Sequence, residues 1–221
     1  MDNLIIESWN KNADEWVKIL DAQKIESRAY TNQAILEVLS NLPGTKIVDM
    51  GCGEGWLCRS LTKRGKKAIG IDAVEVLLGV ARSRGTQAFY NLSFEQISRG
   101  AQIPQAPFDS AVFNFSLYQK EKLEDLLQQV KKHLRKSGNI VIQTLHPYFL
   151  LENGLPYKSQ LIADSWMGLP GNFSEGHSWY ARTIDDWVGI AANSKLKLID
   201  LKETLNQENK PVSLILRLSS L

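Results

Sequence analysis

Hydrophobic and polar positions alternate along residues 46–145 in a way that predicts strands and helices in turn. Short apolar runs predict buried strands, and apolar residues four positions apart, as at Leu57 and Leu61, predict helices between them. The predicted strands are 46–50, 68–71, 88–90, 110–115 and 139–144, and the predicted helices are 55–64, 74–84, 94–100 and 123–134, with Gly138 as the stop of the last helix. This alternation indicates an α/β protein with a parallel, doubly wound sheet.

The two ends of the chain extend this pattern. The first 45 residues predict amphipathic helices, in which Trp9 and Trp16 are either core residues or contacts to a ligand. Thr183 predicts the start of a helix at 184–193, because a threonine followed three residues later by an acid satisfies free N–H groups. The strands predicted at 197–203 and 213–218 are joined by a turn-like segment, so they should form an antiparallel hairpin.

Residues 147–182 interrupt the regular alternation. This segment combines prolines and glycines with seven aromatic residues. A connection of this length inside a compact domain is usually functional, so we interpret it as a lid. The alternative is a structural excursion that covers an edge of the sheet.

Composition narrows the class of protein. With 221 residues, of which 43% are hydrophobic and 23% charged, the chain has the proportions of one soluble globular domain. Its net charge of +2 is too small to indicate a nucleic-acid-binding surface. The basic runs at 63–67 and 131–136 lie where helices should end, so they are either solvated helix termini or a basic patch.

The cysteines and the lengths of the apolar runs indicate the cellular compartment of the protein. Cys52 and Cys58 fit neither a zinc site nor a disulfide framework. Because no signal peptide or membrane-length apolar run is visible, the sequence predicts a reduced, cytoplasmic protein without a membrane partner. No cluster of acids and histidines has metal-ligand spacing, so we predict no metal site. The oligomeric state, monomer or homodimer, stays open.

A glycine-rich turn after the first predicted strand carries the chemistry. Residues 47–55 read Ile-Val-Asp-Met-Gly-Cys-Gly-Glu-Gly, and Asp72 ends the next strand. This spacing is typical of a nucleoside site, because glycines let the backbone approach the ligand and a carboxylate accepts both ribose hydroxyls. A dinucleotide fingerprint needs a sixth-position glycine, where Trp56 stands, and no Gly-Lys-Ser/Thr phosphate loop is present.

Asp49 and the Gly-x-Gly-x-Gly turn resemble motif I of the class I S-adenosylmethionine-dependent methyltransferases. The resemblance implies a Rossmann-like, seven-stranded sheet of order 3-2-1-4-5-7-6 with the last strand antiparallel. It also implies S-adenosylmethionine as the cofactor and S-adenosylhomocysteine as its product. His146-Pro147 after the fifth strand and Tyr180-x-Arg182-Thr183 before the next helix look like the small-molecule "type 11" branch. We therefore predict one domain over 1–221, with a helical cap (1–45), a cofactor-binding core (46–146), the lid insertion (147–182) and a C-terminal helix and hairpin (183–221).

The resemblance also implies a set of cofactor-binding residues. Asp72 should hold the ribose, or alternatively cap the next helix, and Asp49 should lie near the cofactor amino group. Arg28 is either a partner of the cofactor carboxylate, reaching in from the cap, or a solvated helix arginine. The full set is Arg28, Asp49, Gly51, Cys52, Gly53, Gly55, Asp72, Ala73, Asn91, Ser93, Asn114 and Phe115.

Two parts of this set depart from the family pattern. Many members have an acid after the third strand for the adenine amine, whereas this chain offers Asn91, Ser93 or backbone groups. Asn114 and Phe115 should line the methionine side, unless they are an ordinary strand end. The two prolines that enzymes acting on nucleic-acid bases carry after this asparagine are absent, which disfavours that substrate class.

The substrate side is predicted from the strand-five end and the lid. His146 is a candidate general base or orienting donor, with a structural histidine as the alternative. Arg182 either pairs with a substrate carboxylate or pins the lid. Tyr148, Trp179 and Tyr180 complete the predicted substrate-binding residues.

Three functions from different classes follow from these patterns. The first is an enzyme that transfers a methyl group in line to an oxygen, nitrogen or carboxylate of a small molecule. The second is a non-catalytic S-adenosylmethionine-binding module or a subunit that stabilises a partner. The third is a nicotinamide-dependent oxidoreductase, which Trp56 disfavours.

Overall fold

A computed structural model describes residues 2–220, in which one large sheet is covered by helices on both faces. The strands are β1 (Lys46–Met50), β2 (Lys67–Asp72), β3 (Phe89–Asn91), β4 (Phe108–Asn114), β5 (Leu134–Leu145), β6 (Gln160–Ile162), β7 (Trp179–Ala181), β8 (Leu196–Leu205) and β9 (Pro211–Ser220). The helices are α1 (Asp2–Asp21), α2 (Arg28–Asn41), α3 (Trp56–Lys63), α4 (Glu75–Arg84), α5 (Phe94–Ser98), α6 (Leu123–Lys132), α7 (Tyr148–Glu152) and α8 (Ile184–Asn193).

The large sheet has seven strands in the order β3-β2-β1-β4-β5-β9-β8. The first five strands in this order pair in parallel, and β9 pairs antiparallel with both β5 and β8. The short strands β6 and β7 form a separate two-stranded sheet. Counted without those two, the order is 3-2-1-4-5-7-6, so the predicted fold class and topology are confirmed.

The strands are buried on both faces because alternate side chains enter two different core layers. In β4, Ala111 and Phe113 join the layer that contains α6 and α8, whereas Val112 joins the layer that contains α2 and α3. Since successive side chains of a strand point to opposite faces, an unbroken apolar run satisfies both layers at once. The parallel strands therefore sit in the centre of the molecule and end together at one edge.

The end of α6 differs from the prediction. The helix ends at Lys132, and Leu134 begins β5 by pairing with Phe108 instead of continuing the helix. The chain pairs with β4 at this point instead of continuing the helix, because the Phe108 N–H donates to the His133 carbonyl at 2.9 Å. Gly138 does not stop the helix but permits a tight bulge, since a Cβ there would lie 2.7 Å from the Cβ of Leu134.

The lid segment contains more regular structure than its sequence indicates. It holds α7 and the antiparallel pair β6–β7, in which Leu161 lies opposite Tyr180. Its central part packs on α1, where Asn12 Oδ1 accepts a hydrogen bond from the Ser174 N–H at 2.9 Å. Asn12 Nδ2 donates to the Ser174 carbonyl at 2.8 Å, so the two segments are joined by side-chain-to-backbone bonds.

Between residues 2 and 220, no helix combines the length and the apolar character needed to cross a bilayer.

Candidate cofactor and substrate site

A cavity of about 540 Å³ opens at the carboxyl ends of β1, β2 and β4. Its walls come from α1, the start of α2, the glycine turn after β1, the loop between β4 and α6, and the lid. Ligands of open α/β sheets bind at this edge, outside the carboxyl ends of the strands. The cavity is therefore the place where the predicted cofactor and substrate residues have to meet.

The three glycines of the turn all have left-handed backbone conformations but meet different surroundings. Gly51, Gly53 and Gly55 have φ values of 76°, 55° and 79°. A Cβ on Gly53 would have no atom within 4 Å, whereas a Cβ on Gly55 would lie 2.7 Å from the ring of Phe89. Gly53 thus leaves room for a ligand, and Gly55 allows α3 to approach β3.

Asp72 lies at the cavity wall and ties the turn to the second strand. Its Oδ2 accepts from the Gly53 N–H and its Oδ1 accepts from the Val74 N–H, both at 2.8 Å. Each carboxylate oxygen can accept two hydrogen bonds, so one acceptor position per oxygen remains for two adjacent hydroxyls. The bond to Val74, the residue before α4, shows that the same carboxylate also orients the start of that helix.

Asp49 is a buried acid with an unused oxygen. Its side chain lines the cavity while the residue is only 2% exposed. Oδ1 has no hydrogen-bond partner among the described residues, and Oδ2 has only the Cys58 thiol at 3.7 Å. Burial, together with the negative charges of Asp72 and Glu54, raises the pKa of Asp49 to about 8. A cationic N–H donor in the cavity would satisfy this oxygen.

The loop after β4 forms the opposite wall. Asn114 ends the strand, and its Oδ1 is a second buried acceptor without a partner among residues 2–220. Phe115 has a φ of 52°, which turns the chain away from the sheet. Ser116 Oγ then donates to the Met50 carbonyl at 2.7 Å and fixes this loop against the glycine turn.

Arg28 is half-buried and lines the cavity, which favours the predicted cofactor contact over a solvated helix arginine. Its guanidinium lies over Trp16 at 5.9 Å and over Trp56 at 5.2 Å from the ring centroids. Burial lowers the pKa of Arg28, and the nearby Glu54 carboxylate opposes that shift. Arg28 nevertheless remains protonated, because an arginine keeps its charge in proteins.

His146, predicted to be a base or a structural histidine, is not among the residues that line the cavity. Its Nδ1 accepts from the Tyr148 N–H at 3.0 Å, so Nε2 carries the proton of the neutral ring and faces Glu203 Oε1 at 2.8 Å. Both nitrogens are therefore occupied, which favours the structural alternative. A position after β5 does not by itself bring a side chain to the cavity, because sequence proximity to the strand end does not fix the direction of the ring.

The adenine candidates also need correction. Asn91 is exposed and absent from the cavity wall, and its amide donates to the Ala73 carbonyl and to Glu75. Ser93 does line the cavity, but its hydroxyl accepts from the Gln96 N–H at 3.2 Å as the cap of α5. The hydroxyl can still accept a second bond, whereas Asn91 points elsewhere.

Of the four predicted substrate-binding residues, one lines the cavity and three do not. Trp179 lines the cavity, whereas Tyr148, Tyr180 and Arg182 do not. Phe149 takes the place expected for Tyr148, with its ring 5.3 Å from that of Trp179.

Arg182 is 4% exposed and joins the end of the lid to the loop between β4 and α6. Its Nη2 donates to the carbonyls of Gln119 and Lys120 at 2.7 and 2.8 Å. The guanidinium also lies 4.9 Å from the ring centroid of Tyr180. Of the two roles predicted for Arg182, these contacts favour the structural one.

Tyr118 and Trp166 are among the aromatic residues of the site that sequence reasoning missed. Both line the cavity, Tyr118 from the loop after β4 and Trp166 from the lid. Burial raises the pKa of Tyr118, so its hydroxyl stays protonated. Their signal was the excess of aromatic residues near the strand ends, which gives no indication of which rings face inward.

The open groups of the cavity fit the cofactor implied by motif I. Asp72 has two free acceptor positions for a ribose, and the partnerless oxygen of Asp49 matches an ammonium group. Gly53 leaves space where any side chain would intrude, and Arg28 supplies a cation for a carboxylate. The adjoining space is lined by Ala73, Cys52, Asn114 and Phe115.

Comparison with known proteins agrees with this assignment. A family model described as "Methyltransferase domain" matches residues 24–199. A ubiquinone biosynthesis O-methyltransferase of Methylococcus capsulatus is 38% identical over 133 residues, which are 58% of this chain and 56% of that protein. An uncharacterized protein of Haemophilus influenzae is 30% identical over 122 residues, 51% of this chain and 47% of that protein. The chain thus spans about half the length of these curated relatives.

Solved structures show the same fold. The 1,6-didemethyltoxoflavin-N1-methyltransferase of Burkholderia thailandensis, with 1,6-didemethyltoxoflavin and S-adenosylhomocysteine bound, aligns with a TM-score of 0.71 at 14% identity and covers 99% of this chain and 88% of that one. The magnesium protoporphyrin IX methyltransferase of Synechocystis PCC 6803 aligns with a TM-score of 0.67 at 16% identity and covers 100% and 99%. At such identities the likeness concerns the fold alone.

Proposed function

This chain belongs to the class I S-adenosylmethionine-dependent methyltransferases, and on that premise we propose that it transfers the methyl group of S-adenosylmethionine to a small-molecule acceptor. The observation that carries the proposal is the joint placement of Asp49 and Asp72 around the Gly53 turn. One acid is buried with an unused oxygen, and the other keeps two acceptor positions open beside Gly53, where an added Cβ would meet no atom within 4 Å.

Each part of the cofactor would have its own residues. Asp72 would accept the ribose hydroxyls, and Ala73 beside it is small enough for the adenine to lie nearby. Asp49 would accept from the ammonium group, while Arg28 would face the carboxylate of the methionine tail. The carboxylates on this wall also favour a sulfonium, because opposite charges attract more strongly in a partly buried site.

When bound, the cofactor supplies a methyl carbon on positively charged sulfur, and an acceptor lone pair displaces that sulfur in line as the carbon–sulfur bond breaks. The protein's contribution is alignment, which is worth about 7–11 kcal/mol in well-oriented reactions. Among the described residues no histidine lines the cavity, so an acceptor that loses a proton would release it to a lining carboxylate or to water. The acceptor atom, whether oxygen, nitrogen or carboxylate, is part of the proposal.

An enzyme is favoured over a non-catalytic binding module by the extent of the cavity. Besides the space next to the turn and Asp72, it includes space lined by Trp9, Tyr118 and Trp166. A module that only holds the nucleoside has no use for this second space. A transferase needs it for the acceptor.

Calorimetric titration with S-adenosylhomocysteine tests the cofactor site. We expect Asp72→Ala to weaken binding by roughly tenfold or more, because hydrogen bonds to a charged group contribute about 1.5–3 kcal/mol each. Asp200→Ala is the matched control, since Asp200 is exposed on β8 and lies outside the cavity. Unchanged affinity in a folded Asp72→Ala protein would contradict the assignment.

A further inference from the structure

Four aromatic side chains line one part of the cavity, and we call them the aromatic chamber. They are Trp9 and Trp16 from α1, Tyr118 from the loop after β4, and Trp166 from the lid. The ring of Trp9 lies 5.1 Å from Trp16, 4.7 Å from Trp166 and 6.1 Å from Tyr118, between centroids. Three segments that are distant in sequence thus meet around one space.

The chamber is held in place by contacts on its outer side. Trp166 Nε1 donates to Ser8 Oγ at 3.0 Å, and its ring stacks on Phe173 with centroids 4.7 Å apart. The Tyr118 carbonyl accepts from the Tyr180 N–H at 2.9 Å. A wall that is already ordered loses little conformational entropy when a ligand binds.

The charges that line the cavity disfavour an anionic acceptor. Among the described lining residues Arg28 is the one cation, and there are five carboxylates: Asp49, Glu54, Asp72, Glu95 and Asp164. Glu54 and Glu95 are paired with Arg59 and Arg99. The pKa of Asp49 is raised to about 8, so this acid is largely protonated near pH 7 until an ammonium group pairs with it. Asp72 and Asp164 are not in ion pairs among the described residues. Asp164 is exposed and lies beside the chamber, where its Oδ1 accepts from the backbone N–H of Trp166 at 3.1 Å.

Arg28 does not offset this imbalance for an acceptor. It lies over Trp16 and Trp56, at the glycine-turn end of the cavity, where the cofactor carboxylate would engage it. An acidic acceptor would then meet Asp164 without a counter-charge. A protonated amine has the opposite difficulty, because its nitrogen has no lone pair with which to attack a methyl carbon.

We propose that the aromatic chamber binds an uncharged aromatic acceptor that carries an O–H or N–H group, and that the Tyr118 hydroxyl hydrogen-bonds to it. This inference rests on the proposed methyl transfer. The acceptor oxygen or nitrogen forms a bond to the methyl carbon, the carbon–sulfur electron pair stays on sulfur as a neutral thioether, and the acceptor proton passes to water. Aromatic walls favour aromatic ligands through offset and edge-to-face contacts.

Two probes that differ in one carboxylate test the charge requirement. The protein is saturated with S-adenosylhomocysteine, and 2-naphthol and 6-hydroxy-2-naphthoate are titrated calorimetrically. We expect 2-naphthol to bind at least about tenfold more tightly, since burying an uncompensated charge is costly. Equal binding of the two probes, or tighter binding of the carboxylate, overturns the inference.

Three variants test the walls. Trp9→Leu should weaken 2-naphthol by roughly tenfold, from the loss of aromatic contact and buried area, and leave S-adenosylhomocysteine affinity nearly unchanged. Tyr118→Phe should weaken 2-naphthol by about three- to tenfold, as expected for one neutral hydrogen bond. Tyr157→Phe is the matched control, because Tyr157 is 47% exposed and outside the cavity.

The outcomes separate the two proposals. If S-adenosylhomocysteine fails to bind the wild-type protein, the proposed function itself is wrong. If S-adenosylhomocysteine binds but 2-naphthol does not, or if Trp9→Leu and Tyr118→Phe bind 2-naphthol as the wild type does, the chamber assignment is wrong while the methyltransferase proposal stands.

Discussion

At the scale of single residues, Gly53 and Gly55 show how one motif combines ligand binding and packing. Both have positive φ values, yet only Gly55 is pressed against other side chains, the ring of Phe89 and the methyl group of Ala81. Gly53 faces open space in the cavity wall. The same residue type is therefore required for two different physical reasons.

Alanine substitutions should separate these reasons. Gly55→Ala should lower the free energy of unfolding by about 2–4 kcal/mol, because it adds overlap with Phe89 to backbone strain. Gly53→Ala should cost about 1 kcal/mol for the strain alone but weaken S-adenosylhomocysteine by roughly tenfold or more, since its methyl group enters the cavity. Urea denaturation and calorimetric titration measure both quantities. Equal losses of stability in the two variants would contradict this distinction.

His146 gives a second prediction at this scale. His146→Ala removes the acceptor of the Tyr148 N–H and the partner of Glu203, so the free energy of unfolding should fall by about 1–3 kcal/mol. The rate of methyl transfer should stay within a few-fold of the wild type, whereas loss of a general base costs about 10²–10⁴-fold. Glu203→Gln, which can still accept from Nε2, is the control for stability. A hundredfold slower but equally stable His146→Ala protein would restore the catalytic role.

At the scale of elements, α1 and the lid behave as one joined wall. Asn12 of α1, only 3% exposed, makes two hydrogen bonds to the backbone of Ser174, and Ser8 Oγ donates to the Glu175 carbonyl at 2.8 Å. Lys11 adds an ion pair with Glu175. Because α1 and the lid each contribute rings to the aromatic chamber, this junction sets the shape of the acceptor space.

Asn12→Ala should loosen the junction without unfolding the sheet. Hydrogen exchange should become faster across residues 164–177 and stay unchanged in β1 and β4, because local stability follows local contacts. Binding of 2-naphthol to the S-adenosylhomocysteine complex should weaken as well. Asn10→Ala is the matched control, since Asn10 is exposed and its amide bonds only to the Ile6 carbonyl of its own helix. Equal exchange in the two variants would show that this junction does not order the lid.

At the scale of the whole molecule, Asp49 couples stability to pH. Its pKa is about 8 in the folded protein and near the ordinary aspartate value of 3.8 in the unfolded chain. Between these values the folded state holds one proton more than the unfolded state, so its stability falls as pH rises. Burial raises the pKa of Asp72 in the same direction. His177 acts in the opposite sense, because burial lowers its pKa from the ordinary value of 6.5 to about 4. Its titration therefore makes stability rise with pH between about 4 and 6.5, and it has no further effect above that range.

The expected result is a Tm of the ligand-free protein that falls between about pH 7 and about pH 8.5. Asp49→Asn should flatten this decline, because the amide does not titrate. Saturating S-adenosylhomocysteine should flatten it too, since an ammonium group beside Asp49 stabilises the charged carboxylate. Scanning calorimetry at constant ionic strength makes the measurement. A wild-type Tm that rises over this range, or a slope that Asp49→Asn leaves intact, would contradict the assignment.

The sheet and the cofactor motif were predictable because their signals are local. Each strand is a short apolar run, and the Gly51–Gly55 turn with Asp72 lies within one strand–helix–strand unit, where spacing fixes the geometry. Local sequence patterns failed to predict secondary structure where a segment pairs with a strand that is distant in the sequence. Leu134 continues a helical pattern, yet pairing with Phe108 places it in β5, and the ladder of β6 and β7 joins residues about twenty positions apart.

The sequence by itself determined the alternation of strands and helices and the glycine turn, because these follow from apolar periodicity and a motif of fixed spacing, and the resemblance carried by that motif implied the family and the sheet order. Only the tertiary structure decided which side chains face the cavity. His146 turns to Glu203, 57 residues away, and Trp166 reaches Ser8, 158 residues away. A residue type shows what chemistry is possible, but the direction of a side chain depends on partners that the chain brings together only when it folds.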